Sequence, residues 1–351
     1  MNANIAKGLL ILLVIVDHND FSRSIFPAFL QGFAFHVVGF MTLPFLRPAL
    51  PLDRKLGQYL FRLYHPFFVM VTGLALIVAV IDHVPLFAQL RLWALSLYSG
   101  NADLLKQTTH MYLLWYLPSF VALVALRASI EHIGTTGKIL ALVLLWALHP
   151  AIGPVADEIQ DFLPLGLLPA LYVLPLAYLA ALVHDGVFMR LPRLAALTIG
   201  IVTYVAVKTL QMRAGLYNEV GFAEVAGYTR PLALLLNDLE AVTGVWMVFQ
   251  LSRFNLGRFV ETAGKYSLQM YLFHAFVAAA VSKSLATVFN NVGVMTLFCV
   301  SFVLSSVLAL AVSRFLGEQA LIKRLMFPRS VAELAGALRL PLVRPAREQR
   351  R

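Results

Sequence analysis

Residues 294–316 read VMTLFCVSFVLSSVLALAVSRFL, an unbroken apolar run whose one charge, Arg314, stands near its end. A helix rises 1.5 Å per residue, so this run is long enough to cross a hydrocarbon layer about 30 Å thick. Runs of comparable length recur at 4–22, 25–46, 59–81, 109–127, 138–156, 165–183, 194–210, 231–251 and 267–289. The chain has 351 residues, 60% hydrophobic and 13% charged, with a mean hydropathy of +0.79. Soluble domains sit near 45–50% apolar and about 25% charged. The expected fold is therefore all-α: a polytopic transmembrane helical bundle of about ten spans over 1–316, followed by a basic tail at 317–351. Disorder, coiled coil and secreted scaffold are excluded. The lone Cys299 supports neither a disulfide framework nor a cysteine-rich metal site.

The first run is interrupted by Asp17 and His18. Asp17-His18-Asn19-Asp20 stands where a signal peptide needs a small-residue cleavage site, so the segment reads as a retained helix. Basic residues set the direction. With the N-terminus inside, 21 of the 28 Lys and Arg residues fall on cytoplasmic segments, as the positive-inside rule requires. Both termini are then cytoplasmic. Residues 84–98 have the spacing of an amphipathic helix on the outer surface. Residues 211–230 read as a polar outer loop, and the tail as a mobile basic segment near anionic headgroups. No internal repeat supports an inverted-repeat transporter.

Ionisable groups at membrane depth are costly, so each is a candidate functional group. Lys7 and His18 are eleven residues apart, three turns plus about 20°, and share a helix face with about 16 Å of rise between them. That spacing suits the two ends of one extended anionic ligand. The plainer reading is an interface lysine and a packing histidine. Asp17 is expected about 100° away from His18, which argues against a local dyad. His36, in Phe35-His36, reaches the same depth on the returning segment; a buried histidine alone is more often a packing residue. Arg62-Leu63-Tyr64-His65-Pro66 adds positive charge with Arg54 and Lys55, which positive-inside flanking also explains, and a proline is tolerated in a first helical turn. Ser267, Tyr271 and His274 lie at i, i+4 and i+7, one polar stripe on an apolar helix. Asn237, Glu240 and Gly244 share a face of the eighth run, with Asp238 beside them. A carboxylate there must pair, be protonated or line a wet cavity. No phosphate loop, zinc helix or nucleophile elbow occurs, and the histidines lack metal-ligand spacing.

Lys7-Gly8 with His18 after a ten-residue gap, Phe35-His36, Arg62-Leu63-Tyr64-His65-Pro66, Trp115-Tyr116-Leu117 and Gly264-Lys265-Tyr266-Ser267 to Tyr271-Leu272-Phe273-His274 occur in an order that resembles integral-membrane acyltransferase family 3. The resemblance covers roughly 5–316. Lys7 stands where that family more often has Arg, and the segment after His36 lacks the family's Met-Pro-Leu-Phe-Phe and Ser-Gly pattern. The pattern is nearer to the family's sugar O-acetylases.

The resemblance implies O-acylation in a bacterial inner membrane, with cytoplasmic acyl-CoA, most often acetyl-CoA, as donor substrate and an extracytoplasmic glycan or glycolipid hydroxyl as acceptor. No metal, bound cofactor or nucleic acid is called for. His18, His36 and Glu240 are the expected catalytic groups, and Lys7, Arg62 and Lys265 the donor-binding ones. Trp115, Asp238, Ser267, Tyr271 and His274 are expected to contact substrate. A transporter or flippase of a glycan or lipid intermediate uses the same charges as a permeation path. A noncatalytic assembly subunit uses them only for helix packing.

Overall fold

The computed structural model describes residues 1–25, 35–159, 161–213, 231–289 and 291–338, which contain helices and no strand. In chain order the α-helices of seven or more residues are α1 (Ala3–Asp17), α2 (Phe35–Thr42), α3 (Arg54–Ile81), α4 (Leu86–Ser99), α5 (Ala102–Thr109), α6 (Tyr116–Ile130), α7 (Thr135–Ile159) and α8 (Leu167–Gly186). They continue with α9 (Arg193–Arg213), α10 (Pro231–Leu251), α11 (Gly257–Lys265), α12 (Ser267–Val288), α13 (Val294–Glu318), α14 (Ala320–Met326) and α15 (Val331–Leu338). Seven helices among the described residues are long and apolar enough to cross a membrane, so this is a multi-pass membrane protein. Of the other three expected runs, 4–22 coincides with α1, whose 15 residues give about 22 Å of rise against the ~30 Å of a bilayer core. The run 138–156 lies within α7, 25 residues long, and the run 25–46 is described at Ile25 and from Phe35 on.

Local chemistry explains where α1 begins and ends. The Asn2 side chain accepts from the Asn4 and Ile5 backbone N–H groups, and the Asn2 N–H donates to Ser252 O at 3.1 Å. At the far end Ser22 Oγ donates to Asn19 O at 2.6 Å and the Asn19 side chain accepts from Phe21 N–H at 3.0 Å, which turns the chain away. α3 starts earlier than the hydropathy suggests because Asp53 caps it, accepting from Lys55 N–H at 2.7 Å. Pro66 consequently lies inside α3 and not in its first turn.

Glycines set the closest helix contact. α1 packs on α11, and a Cβ at Gly264 would fall 1.6 Å from Asn4 O, one at Gly8 1.9 Å from Val260 O. Only glycine permits this approach, which is how small residues bring helices together in lipid. Gly264→Ala is expected to force α1 from α11 at a cost of about 1–3 kcal/mol, read as a lower melting temperature in detergent. Gly73→Ala, where no neighbour lies within 4 Å, is the control and should be neutral. Equal melting temperatures for the two variants would refute the close-contact argument.

The outward faces of the crossing helices are apolar, with Leu76, Val80, Leu182, Val202 and Val303 all more than half exposed. Inward positions carry small polar residues such as Ser301 and Ser305 on α13, with Ser282 and Ser301 hydroxyls 3.2 Å apart.

The expected amphipathic helix at 84–98 is α4. It docks through Gln89 Nε2, which donates to Ala75 O and Thr108 O, and through Trp93 Nε1, which donates to Thr72 Oγ1. Over its described part, 317–338, the tail is helical and differs from a mobile segment, because α14 and the turn after it fold back on α3. His65 Nε2 donates to Leu325 O at 2.7 Å and Arg62 Nε to Arg329 O at 2.9 Å. Of the expected outer loop 211–230, all but the last turn of α9 lies outside the described residues, as does 339–351.

Candidate functional site

A cavity of about 750 Å³ opens where the starts of α1 and α12 meet the ends of α6 and α8 and the segment 43–50. Among the described lining residues, three side chains are cationic, Lys7, Arg47 and Arg127, against the one carboxylate of Asp185. Arg127 is held in place. Its guanidinium donates to Pro44 O and Arg47 O and lies 4.7 Å over the Phe45 ring, a cation–π contact. It therefore fixes the segment carrying Arg47 as well as contributing charge. In the turn after α6, Glu131 accepts from Lys138 at 2.8 Å and from the Tyr178 hydroxyl at 2.7 Å. Burial raises its carboxyl, but these two hydrogen bonds together with the positive charges of Lys138 and Arg127 outweigh burial and hold it below the ordinary carboxylate range.

Ser267 and Tyr271 line the same cavity, so the polar stripe of α12 enters it from the side. The Tyr271 hydroxyl donates to Leu113 O. Its ring centroid is 5.1 Å from Tyr116 and 5.8 Å from His274. His274 Nδ1 donates to Tyr271 O at 2.7 Å, which assigns the proton to Nδ1 and leaves Nε2 as the acceptor. That Nε2 is buried with no hydrogen-bond partner among the described residues.

Beyond His274 stands His18, ring centroids 5.4 Å apart, with Tyr112 at 6.5 Å on another side. The Asp17 carboxylate lies 3.8 Å from His18 Nδ1 and 3.9 Å from His36 Nε2. The sequence expectation that Asp17 points away from His18 is thus corrected. His18 is the residue that ends α1, with φ −93° and ψ 12°, so the 100° step between helical neighbours no longer applies. His36 joins because Phe35 opens α2 at this depth, packed so tightly that a Cβ on Gly244 of α10 would meet the Phe35 ring at 2.4 Å. Cavity, Tyr271, His274, His18, Asp17 and His36 follow one another as a chain of neighbours.

Other expected site residues lie elsewhere. Arg62 is tied to the tail backbone, and the exposed Lys265 extends over Tyr266, Nζ 5.6 Å from the ring; neither belongs to the described cavity lining. Trp115 precedes the wall residue Tyr116 and accepts the Ser119 hydroxyl at its carbonyl. Glu240 is fully buried, and its Oε1 accepts from Lys208 Nζ at 3.3 Å and the Tyr204 hydroxyl at 3.4 Å. Tyr204 packs against Phe35 at 5.3 Å, and neither Glu240 nor Lys208 belongs to the described cavity lining. Asp238, two residues away and so about 200° round the helix, accepts from Trp146 Nε1 at 2.9 Å and the Tyr172 hydroxyl at 2.5 Å. Asn237 donates to that same hydroxyl at 3.1 Å, and so sits with Asp238 and not with Glu240. His149 stacks on Tyr172 at 4.3 Å.

Sequence reasoning passed over Arg47, Arg127 and Lys208, counting each only as a charge that sets orientation. For Lys208 the signal was present, a lysine inside the apolar run 194–210. For the two arginines no local pattern separates a cavity residue from a flanking one. No family model, curated protein or solved structure matches the chain.

Proposed function

We propose that the chain is an integral-membrane O-acyltransferase that moves an acyl group, acetyl in the simplest case, from cytoplasmic acyl-CoA to a hydroxyl of an extracytoplasmic glycan or glycolipid. The observation that carries this reading is the cationic cavity ending on Tyr271, with His274 and His18 directly behind it. Lys7, Arg47 and Arg127 are suited to the donor's phosphates, since charge-assisted hydrogen bonds are the strong ones. His18 serves as general base, because a neutral imidazole accepts protons near pH 7. In that step His18 takes the acceptor's hydroxyl proton as the oxygen attacks the thioester carbonyl. The C–S bond breaks and the CoA sulfur leaves toward the cavity, taking up the proton that His18 had accepted. His36, with the Asp17 carboxylate between it and His18, is placed to steady the imidazolium.

Topology supports the same reading. The cavity gathers Lys7, Arg47, Arg127, Asp185 and Ser267, all from helix ends that the basic-residue bias assigns to the cytoplasm. In this arrangement both termini are cytoplasmic in a bacterial inner membrane. The crossings number ten if the runs 4–22, 25–46 and 138–156 cross as well.

The test is transfer of label from acetyl-CoA to a purified envelope glycan by the reconstituted protein. Lys7→Ala should weaken acetyl-CoA binding about tenfold, the loss of one charged hydrogen bond, and Lys7→Arg should restore it. Wild-type protein that neither binds acetyl-CoA nor labels any glycan would overturn the proposal. Glycan translocation into vesicles without label would favour the flippase.

A further inference from the structure

We propose that Tyr271, together with Tyr116 and Phe120, forms an aromatic end wall that sets the length of acyl group the cavity accepts. This rests on reading the cavity as the acyl-CoA site. All three side chains line it. Tyr116 and Phe120 are mostly buried and stack nearly parallel, centroids 5.6 Å apart at 14°. Tyr271 leans on Tyr116 at 5.1 Å and is tethered by the bond from its hydroxyl to Leu113 O. The rings are therefore held by packing on one side and by a hydrogen bond on the other.

The described lining stops at this wall. Its cations stand toward the helix ends, and His274 lies one ring beyond Tyr271, 5.8 Å away. A donor bound with its phosphates among Lys7, Arg47 and Arg127 presents its acyl end to the wall. A short acyl group rests against the rings beside the histidines. Each further methylene must displace a ring that is both packed and tethered. Apolar pockets discriminate a single methylene by roughly 10–200-fold, so a fixed aromatic wall is enough to restrict the donor to short chains.

The experiment compares binding of acetyl-CoA and hexanoyl-CoA to purified wild-type, Tyr271→Ala and Tyr271→Leu protein, a readout that does not depend on turnover. Wild type should prefer acetyl-CoA by about tenfold or more, and Tyr271→Ala should move the ratio toward hexanoyl-CoA by at least about tenfold. Tyr271→Leu keeps more of the packing and should move the ratio in the same direction, by less. Tyr271→Phe, which loses only the tether, should stay nearer to wild type than either. A wild-type protein that binds both donors equally, or an unchanged ratio in folded Tyr271→Ala or Tyr271→Leu protein, would overturn the wall. Absence of binding to any acyl-CoA by wild type would instead overturn the donor reading beneath it.

Discussion

Replacing His18 by alanine is expected to lower acyl transfer by about 10²–10⁴-fold, the range for losing a general base, while acetyl-CoA binding persists. Two observations separate chemistry from structure here. His18 follows the last residue of α1, and its backbone N–H donates to Val14 O at 3.1 Å, a bond that alanine keeps. It also lies outside the described lining of the cavity, so the donor's phosphates lose nothing. The check is turnover and acetyl-CoA affinity measured on the same preparation. More than about a tenth of wild-type turnover would remove His18 from the chemistry. A parallel loss of affinity and folding would make it a packing residue.

The second large effect belongs to the buried pair Lys208–Glu240, at 2% and 0% side-chain exposure. Removing one partner of such a pair leaves the other charge in apolar surroundings and costs about 3–5 kcal/mol, whereas replacing both with apolar residues of similar volume is often near neutral. For a chain of this size that cost is a melting-temperature fall on the order of 5 °C. Glu240→Ala and Lys208→Ala should each show it in detergent. Lys208→Met/Glu240→Leu should recover most of it, and transfer with it, because the two residues pair with each other outside the described lining of the cavity. A Glu240→Ala protein as stable as wild type would mean that the pair is solvated. A stable but inactive double variant would return Glu240 to the chemistry.

The polar stripe of α12 was legible beforehand because Ser267, Tyr271 and His274 sit on one uninterrupted helix, whose 3.6-residue period converts spacing into direction. The same arithmetic failed one residue past the end of α1, where His18 leaves helical geometry and the Asp17 carboxylate comes within reach of it. It also could not sort the acidic residues of α10. Spacing put Asn237 with Glu240, but the partners come from α8 for one and from α9 for the other. The tail is a further case: its basic composition suggested a segment held by lipid, while α14 and the turn after it dock on α3 through backbone carbonyls that no composition reveals.

Class therefore belongs to the sequence alone, and the proposed direction rests on it. Apolar run length and Lys/Arg placement respond to the bilayer, a solvent every helix meets independently of its neighbours. Which charges share a cavity was decided only by the tertiary structure. Lys7, Arg47 and Arg127 come from three segments far apart in the chain, and the carbonyl contacts of Arg127 together with the Gly8 and Gly264 approach bring them to one place. Such contacts depend on side-chain shape across helices, and a single sequence carries no period or spacing that encodes them.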